Sequence, residues 1–123
     1  MRKIIYLILL SILLNDKLPN DVRWVRNSSE YKALCNQVYS QAIDKLEKKL
    51  RYNNFSLNIN NYSNYAVIMD LDETVLDNSD YQVNLFNNNE SFNMDSWASW
   101  VEKEEAKLVP GAIEYINFLR GNN

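Results

Sequence analysis

The stretch Tyr65-Ala66-Val67-Ile68-Met69-Asp70-Leu71-Asp72-Glu73-Thr74-Val75-Leu76-Asp77-Asn78-Ser79 decides the fold class of this chain. Its first five residues show no polar alternation, the pattern of a strand covered on both faces in a parallel sheet. An acidic block follows at once. In extended backbone, residues i and i+2 point the same way, so Asp70 and Asp72 are expected to converge on one small volume just past the strand's carboxyl end. Open α/β sheets place their active sites there. The expectation is an α/β fold with two carboxylates at the mouth of a parallel sheet, a pairing suited to phosphoryl transfer.

Composition narrows the chemistry. The 123 residues suffice for one domain, and an apolar content of 46% argues against disorder. A formal charge of -3 provides no broad basic field, which argues against a nucleic-acid polymer as partner and leaves a single nucleotide within reach of a local site. The chain has no His, so His-based metal sites and Ser-His or Cys-His catalysis are excluded, and any chemistry must run on carboxylates. The single cysteine, Cys35, cannot form an internal disulfide; beside Leu34, Val38 and Tyr39 it is expected to pack as a small apolar residue.

Counting from Asp70 excludes an EF-hand loop, because Val75 stands where the sixth position requires Gly and Tyr81 where the twelfth requires Glu. Two other readings of the acids stay open. They could cap a loop, or form the Asp-x-Asp metal site of nucleotide-sugar transferases.

Outward from the acidic block, the amino terminus reads Met1-Arg2-Lys3 followed by an apolar run from Ile4 to Leu14, a signal-peptide layout. The run is shorter than the ~20 residues of a membrane span. Residues 1–15 are therefore expected to direct export to the periplasm, the outer membrane or the medium, with membrane association through this segment as a corollary. Asn15-Asp16-Lys17 replaces a small-x-small cleavage site, so an amino-terminal core helix is the alternative.

Residues 16–64 read as a helical region and an Asn-rich connector. Asn27 and Glu30 have capping-box spacing. Tyr31, Leu34, Cys35, Val38, Ala42, Leu46 and Leu50 form one stripe on a helix running to about Arg51. Lys45, Lys48, Lys49 and Arg51 suit a solvated face near the negative helix end. Tyr52 to Asn64 lacks periodicity and reads as loop. After the acidic block a loop is expected through Asn87-Asn88-Asn89. A helix N-capped by Asp95 should then turn Trp97, Trp100 and Val101 inward. Another, after Pro110-Gly111, carries Ile113, Ile116, Phe118 and Leu119.

Three stretches together carry a family resemblance: Trp24-Val25-Arg26-Asn27-Ser28-Ser29-Glu30-Tyr31-Lys32-Ala33-Leu34, the acidic block from Asp70 through Tyr81, and Trp97-x-x-Trp100-Val101 with Val109-Pro110-Gly111-Ala112. They are similar to the amino-terminal half of secreted class C acid phosphatases of the haloacid dehalogenase (HAD) superfamily, whose bacterial outer-membrane lipoprotein members act as 5'-nucleotidases. The resemblance implies that residues 65–123 are the first half of a HAD-like core with a Rossmannoid parallel sheet, preceded by the amphipathic helix. It implies Asp70 as the nucleophile, Asp72 as the general acid and base, and Thr74 as a side-chain anchor of the turn. Mg2+ would bridge the Asp70 carboxylate, the Asp72 backbone carbonyl and a phosphate oxygen. Trp97 aligns with an aromatic at the substrate entrance, where the base of a nucleoside monophosphate can stack; its spacing also suits burial.

The same resemblance calls for a Thr or Ser ending a second strand, a Lys, and downstream acids that complete the magnesium shell. The sequence to Asn123 contains none of these, which gives the expectation of a truncated phosphatase: marginally stable alone, and requiring the remainder for activity. The alternative to a phosphatase half is a non-catalytic remnant that serves as an exported interaction or storage piece.

Overall fold

The computed structural model describes residues 18–57 and 66–121, so the signal-like segment and most of the Asn-rich connector lie outside the described residues. Among the described residues no helix is long and apolar enough to cross a membrane.

Helix α1 (Asn20–Asn27) begins directly after Pro19, with Asp21 in its first turn and Arg26 in its last, both favourable to the helix dipole. At Ser28 the backbone becomes extended (φ -83°, ψ 128°) and a second helix, α2 (Ser29–Leu57), starts. Ser28, not Asn27, is the cap. Its Oγ accepts from the Tyr31 N–H at 3.0 Å and donates to Glu30 Oε2 at 3.0 Å. Asn27 is unavailable for the role because it closes α1. The helix also continues past Arg51 to Leu57, so the lysine cluster lies short of its last turn, and Lys45, Lys48 and Lys49 are exposed.

Short strand β1 (Leu76–Asp77) pairs antiparallel with β2 (Lys107–Leu108), Leu76 opposite Leu108 and Asp77 opposite Lys107. Between them come α3 (Ser79–Asn88) and α4 (Met94–Val101), and α5 (Ala112–Gly121) follows β2. The region expected to be loop through Asn89 is thus helical to Asn88. Tyr81 and Leu85, one turn apart, are buried against Trp100, and Asn89 ends the helix in the left-handed conformation (φ 54°). Helix α4 is capped by Asn93, whose Oδ1 accepts from the Ser96 N–H at 2.8 Å, rather than by Asp95. Trp100 faces inward as expected, whereas Val101 is 55% exposed.

Two apolar clusters flank the ladder. Tyr81, Leu85 and Trp100 form one, with Trp97 and Ala106 packed on it. Tyr39, Val109, Ala112 and Tyr115 form the other, joined by Cys35, Ala42, Ile43, Met69 and Leu119. Here α2 meets α5 along a line rotated from the predicted stripe. Tyr39 is buried, while Leu34 and Val38 remain exposed. Tyr39 wins that position because its ring stacks on Tyr115 at 5.7 Å between centroids. On α5, Ala112 and Tyr115 face in and Ile113 faces out. Close approach is permitted at Gly111, where φ is +87° and a Cβ would meet the Tyr39 side chain at 3.0 Å.

Residues 66–69, expected to form a doubly covered strand, join no ladder among the described residues, and Ile68 is 98% exposed. A parallel strand needs neighbours on both edges and cover on both faces, and the only ladder among the described residues is β1–β2. The fold is helix-rich α/β with a small two-stranded sheet.

Asp80 ties three elements together. Its carboxylate accepts from the Arg26 guanidinium of α1 and from Lys107 Nζ of β2 at 2.8 Å. Lys107 and then Arg26 hold the Asp80 carboxyl below its ordinary range, against a smaller opposing effect of burial. A depressed carboxylate pKa contributes stability that is present above the unfolded-state value and lost as pH falls through the folded one. Asp80→Asn should therefore lower the unfolding free energy by ~0.5–1 kcal/mol at neutral pH, a value kept small because the pair is partly solvated. The deficit should shrink in high salt, begin to decline only as pH falls below about 4, and vanish as pH falls on through the lower folded-state value, as read by denaturant titration at several pH values.

Candidate active site

The acidic block folds as a tight turn. The Leu71 carbonyl accepts from both Val75 and Leu76 N–H at 2.9 Å, and the Leu76 carbonyl accepts from Glu73 N–H at 2.8 Å. Glu73 adopts a left-handed conformation (φ 54°). A non-glycine residue holds that conformation only where its surroundings over-determine it. Three ties do so. Asp72 bridges to Leu76, Val109 N–H donates to the Val75 carbonyl at 3.0 Å, and the Tyr39 hydroxyl donates to the Thr74 carbonyl. Burial pushes the Tyr39 phenol up, so it stays a donor at any ordinary pH.

The predicted site residues divide into those the turn holds and those it does not. Asp72 Oδ1 accepts from Asn78 Nδ2 at 3.0 Å. Asn78 is 2% exposed, and its Oδ1 accepts in turn from Trp100 Nε1 at 2.9 Å. Asp70 is exposed, and its Oδ1 accepts from the N–H of its neighbour Leu71 at 3.0 Å. Thr74 is half-buried and enters through its backbone. Its carbonyl is the anchored group, while its hydroxyl makes no hydrogen bond among the described residues, which corrects the expectation of a side-chain anchor.

Trp97 is half-buried, edge-on to Tyr81 at 5.2 Å and tilted against Phe92 at 6.2 Å. It is also a wall. A cleft of about 400 Å³ is lined by Trp97, Asp72, Asn78, Leu71, Trp100 and Ala106, among others. The structure thus brings Asp72 and Trp97 to one concavity, and neither Asp70 nor Thr74 lines it.

Charge is concentrated on the turn. Burial raises the proton affinity of Glu73; the Asn78 amide opposes this, and the carboxylates of Asp72, Asp77 and Asp70 add to it. Such crowding of anions favours a bound cation. Asp70 and Asp72 supply hard oxygen donors, and no cluster of three or more metal-ligating side chains occurs among the described residues. That donor set suits a hard divalent cation held by one or two carboxylates together with water and a substrate phosphate.

Sequence reasoning missed Asn78, Trp100 and Tyr39 as parts of the site. Asn78 lies inside the acidic motif, but its partner Trp100 is 22 residues away, and only a three-dimensional pairing reveals the link.

The family model described as HAD superfamily, subfamily IIIB (acid phosphatase), matches residues 11–123. Among solved structures, the chain is similar to a class C acid phosphatase from Bacillus anthracis crystallised with tungstate bound. The two are 30% identical, with a TM-score of 0.69, and the match covers 81% of this chain and 39% of that one. The chain therefore spans well under half the length of this relative. Neither match points to the nucleotide-sugar transferases.

If the Tyr39 hydroxyl holds the turn through the Thr74 carbonyl, Tyr39→Phe should cost about 1 kcal/mol of stability. Faster amide exchange should follow at Glu73 and Leu76, measured by hydrogen–deuterium exchange.

Proposed function

The chain belongs to the HAD superfamily, subfamily IIIB (acid phosphatase), and from that premise we propose that it carries the reacting acids of a magnesium-dependent phosphomonoesterase. The ionised Asp70 carboxylate attacks phosphorus, and the ester oxygen departs with a proton from Asp72. This splits one difficult hydrolysis into two displacements joined by an aspartyl-phosphate. In the second step Asp72, now ionised, takes a proton from the water that attacks the aspartyl-phosphate, releasing phosphate and restoring Asp70. Asp70 and Asp72 would hold a magnesium ion, which would supply positive charge to offset repulsion between anionic nucleophile and anionic substrate.

The observation that carries this reading is that Asp72 and Trp97 share one cleft of about 400 Å³, a size suited to a small ligand. A phosphomonoester with an aromatic leaving group suits it best. Nucleoside 5'-monophosphates are the proposed class, with the base against the Trp97 ring. Export rests on the basic and apolar segment of residues 1–15. The activity is proposed for the polypeptide in its complete natural form, since the match covers 39% of the solved relative.

Asp70→Asn should reduce magnesium-dependent phosphate release by at least about 10³-fold while leaving the unfolding midpoint in place. An unchanged rate would assign the acids to a non-catalytic remnant. Trp97→Ala should raise KM for a 5'-mononucleotide by roughly tenfold, in line with base–aromatic stacking of about 1–3 kcal/mol. KM for glycerol phosphate, which has no base to stack, should stay within error. Equal changes for both esters would remove Trp97 from the binding surface.

A further inference from the structure

Asn78 lies buried between a carboxylate that must move a proton and an indole that can only give one. An indole N–H donates and never accepts, so the Asn78 atom facing Trp100 has to be the carbonyl oxygen. The amide is planar, which turns its NH2 toward Asp72. That NH2 has no lone pair to offer. Asp72 Oδ1 therefore remains an acceptor whether or not the carboxyl is protonated, and because a carbonyl oxygen accepts better than a carboxyl O–H oxygen, this favours the proton on Oδ2. The distances agree with this order: 2.9 Å from Trp100 Nε1 to Asn78 Oδ1 and 3.0 Å from Asn78 Nδ2 to Asp72 Oδ1. Trp100 is itself immobilised, 5% exposed and tilted against Tyr81 at 6.2 Å.

We propose that Trp100 and Asn78 are positioning residues that fix the transferable proton of Asp72 on Oδ2, the oxygen left free for the substrate. The inference rests on the reading of Asp72 as general acid. As the phosphorus–oxygen bond to the leaving group breaks, its electron pair takes the Oδ2 proton. Asp72 is left as an anion whose Oδ1 keeps the Asn78 donation, ready to accept a proton from water in the same orientation. Without the indole N–H the amide can turn over and present its oxygen to Asp72, which would draw the proton onto the wrong carboxylate oxygen.

The test compares an alkyl phosphate, whose leaving oxygen must be protonated, with 4-nitrophenyl phosphate, whose leaving group departs as an anion. It uses the longest natural polypeptide that carries this chain. Trp100→Phe keeps a ring and removes the donor. It should lower kcat/KM, which reports only the steps up to release of the leaving group, about tenfold for the alkyl ester and by less than about twofold for the nitrophenyl ester; the later attack of water is common to both. Asn78→Asp keeps an acceptor for the indole but puts an oxygen opposite Asp72, and should give the same selective loss. Equal losses on both esters would mean a structural role and overturn the proposal.

Asp72→Asn is the control. If its own loss of kcat/KM is equal on both esters, the general-acid reading falls and the relay with it; if Asp72→Asn is selective in kcat/KM and Trp100→Phe is not, the relay alone falls. Independently of turnover, the Trp100 indole proton should exchange with solvent more slowly than that of the exposed Trp24, and equal rates would overturn the relay.

Discussion

Everything near the acidic turn depends on satisfying the buried amide of Asn78. An amide taken out of water without partners costs several kcal/mol, and Asn78 is 2% exposed. Each end is matched, the oxygen by the Trp100 indole and the nitrogen by the Asp72 carboxylate. A side chain with those two obligations cannot move alone. It joins the turn, the start of α3 and the buried face of α4 into one unit, and the cleft wall of Trp97 and Trp100 takes its position from that unit.

The opposite side of the turn is held by α2. Tyr39 packs on Tyr115 and Ala112 and reaches the Thr74 carbonyl with its hydroxyl, while Val109 pairs with Val75. The turn is therefore clamped from two apolar clusters that lie on different helices. Left-handed backbone at Glu73 is tolerated because relaxing it would break bonds on both sides at once. Asp80 adds a third link, between α1, α3 and β2, of a weaker kind because its partners are partly in water.

What the sequence disclosed and what it concealed follow a physical division. The acidic motif, the helix after Pro110-Gly111 and the family were legible because each depends on neighbouring residues or on a long ordered string. The cap at Ser28 was displaced by one residue because α1 occupies Asn27, and that helix has eight residues and a single buried one, Val22, too little to set a clear period. Helix α3 was hidden by its asparagines; only Tyr81 and Leu85 are buried apolar residues in it, too few to set a period. The face of α2 was misread because Leu34 and Val38 looked as apolar as the truly buried side, and Tyr39 was chosen by contacts with Tyr115 and Thr74 that lie far along the chain. At the site, spacing pointed to Asp70 beside Asp72, and the cleft instead joins Asp72 to Trp97; the residues that hold Asp72 became visible only through contacts.

The two catalytic candidates are supported unequally, and the difference has a cause. Asp72 lies within the clamped turn and is tied to a buried amide, whereas Asp70 follows the apolar run in which Val67 and Ile68 are exposed and only Met69 reaches a cluster. Aligning a nucleophile with phosphorus requires its backbone to be fixed, since effective molarity falls steeply with loose geometry. Covering Val67 and Ile68 would provide that. Two apolar side chains leaving water contribute on the order of 3 kcal/mol or more, and a neighbouring strand would supply the ladder bonds that residues 66–69 do not make among the described residues. Placement of Asp72, the proposed general acid, is thus a local property of the turn, while placement of Asp70, the proposed nucleophile, depends on whatever packs against residues 66–69.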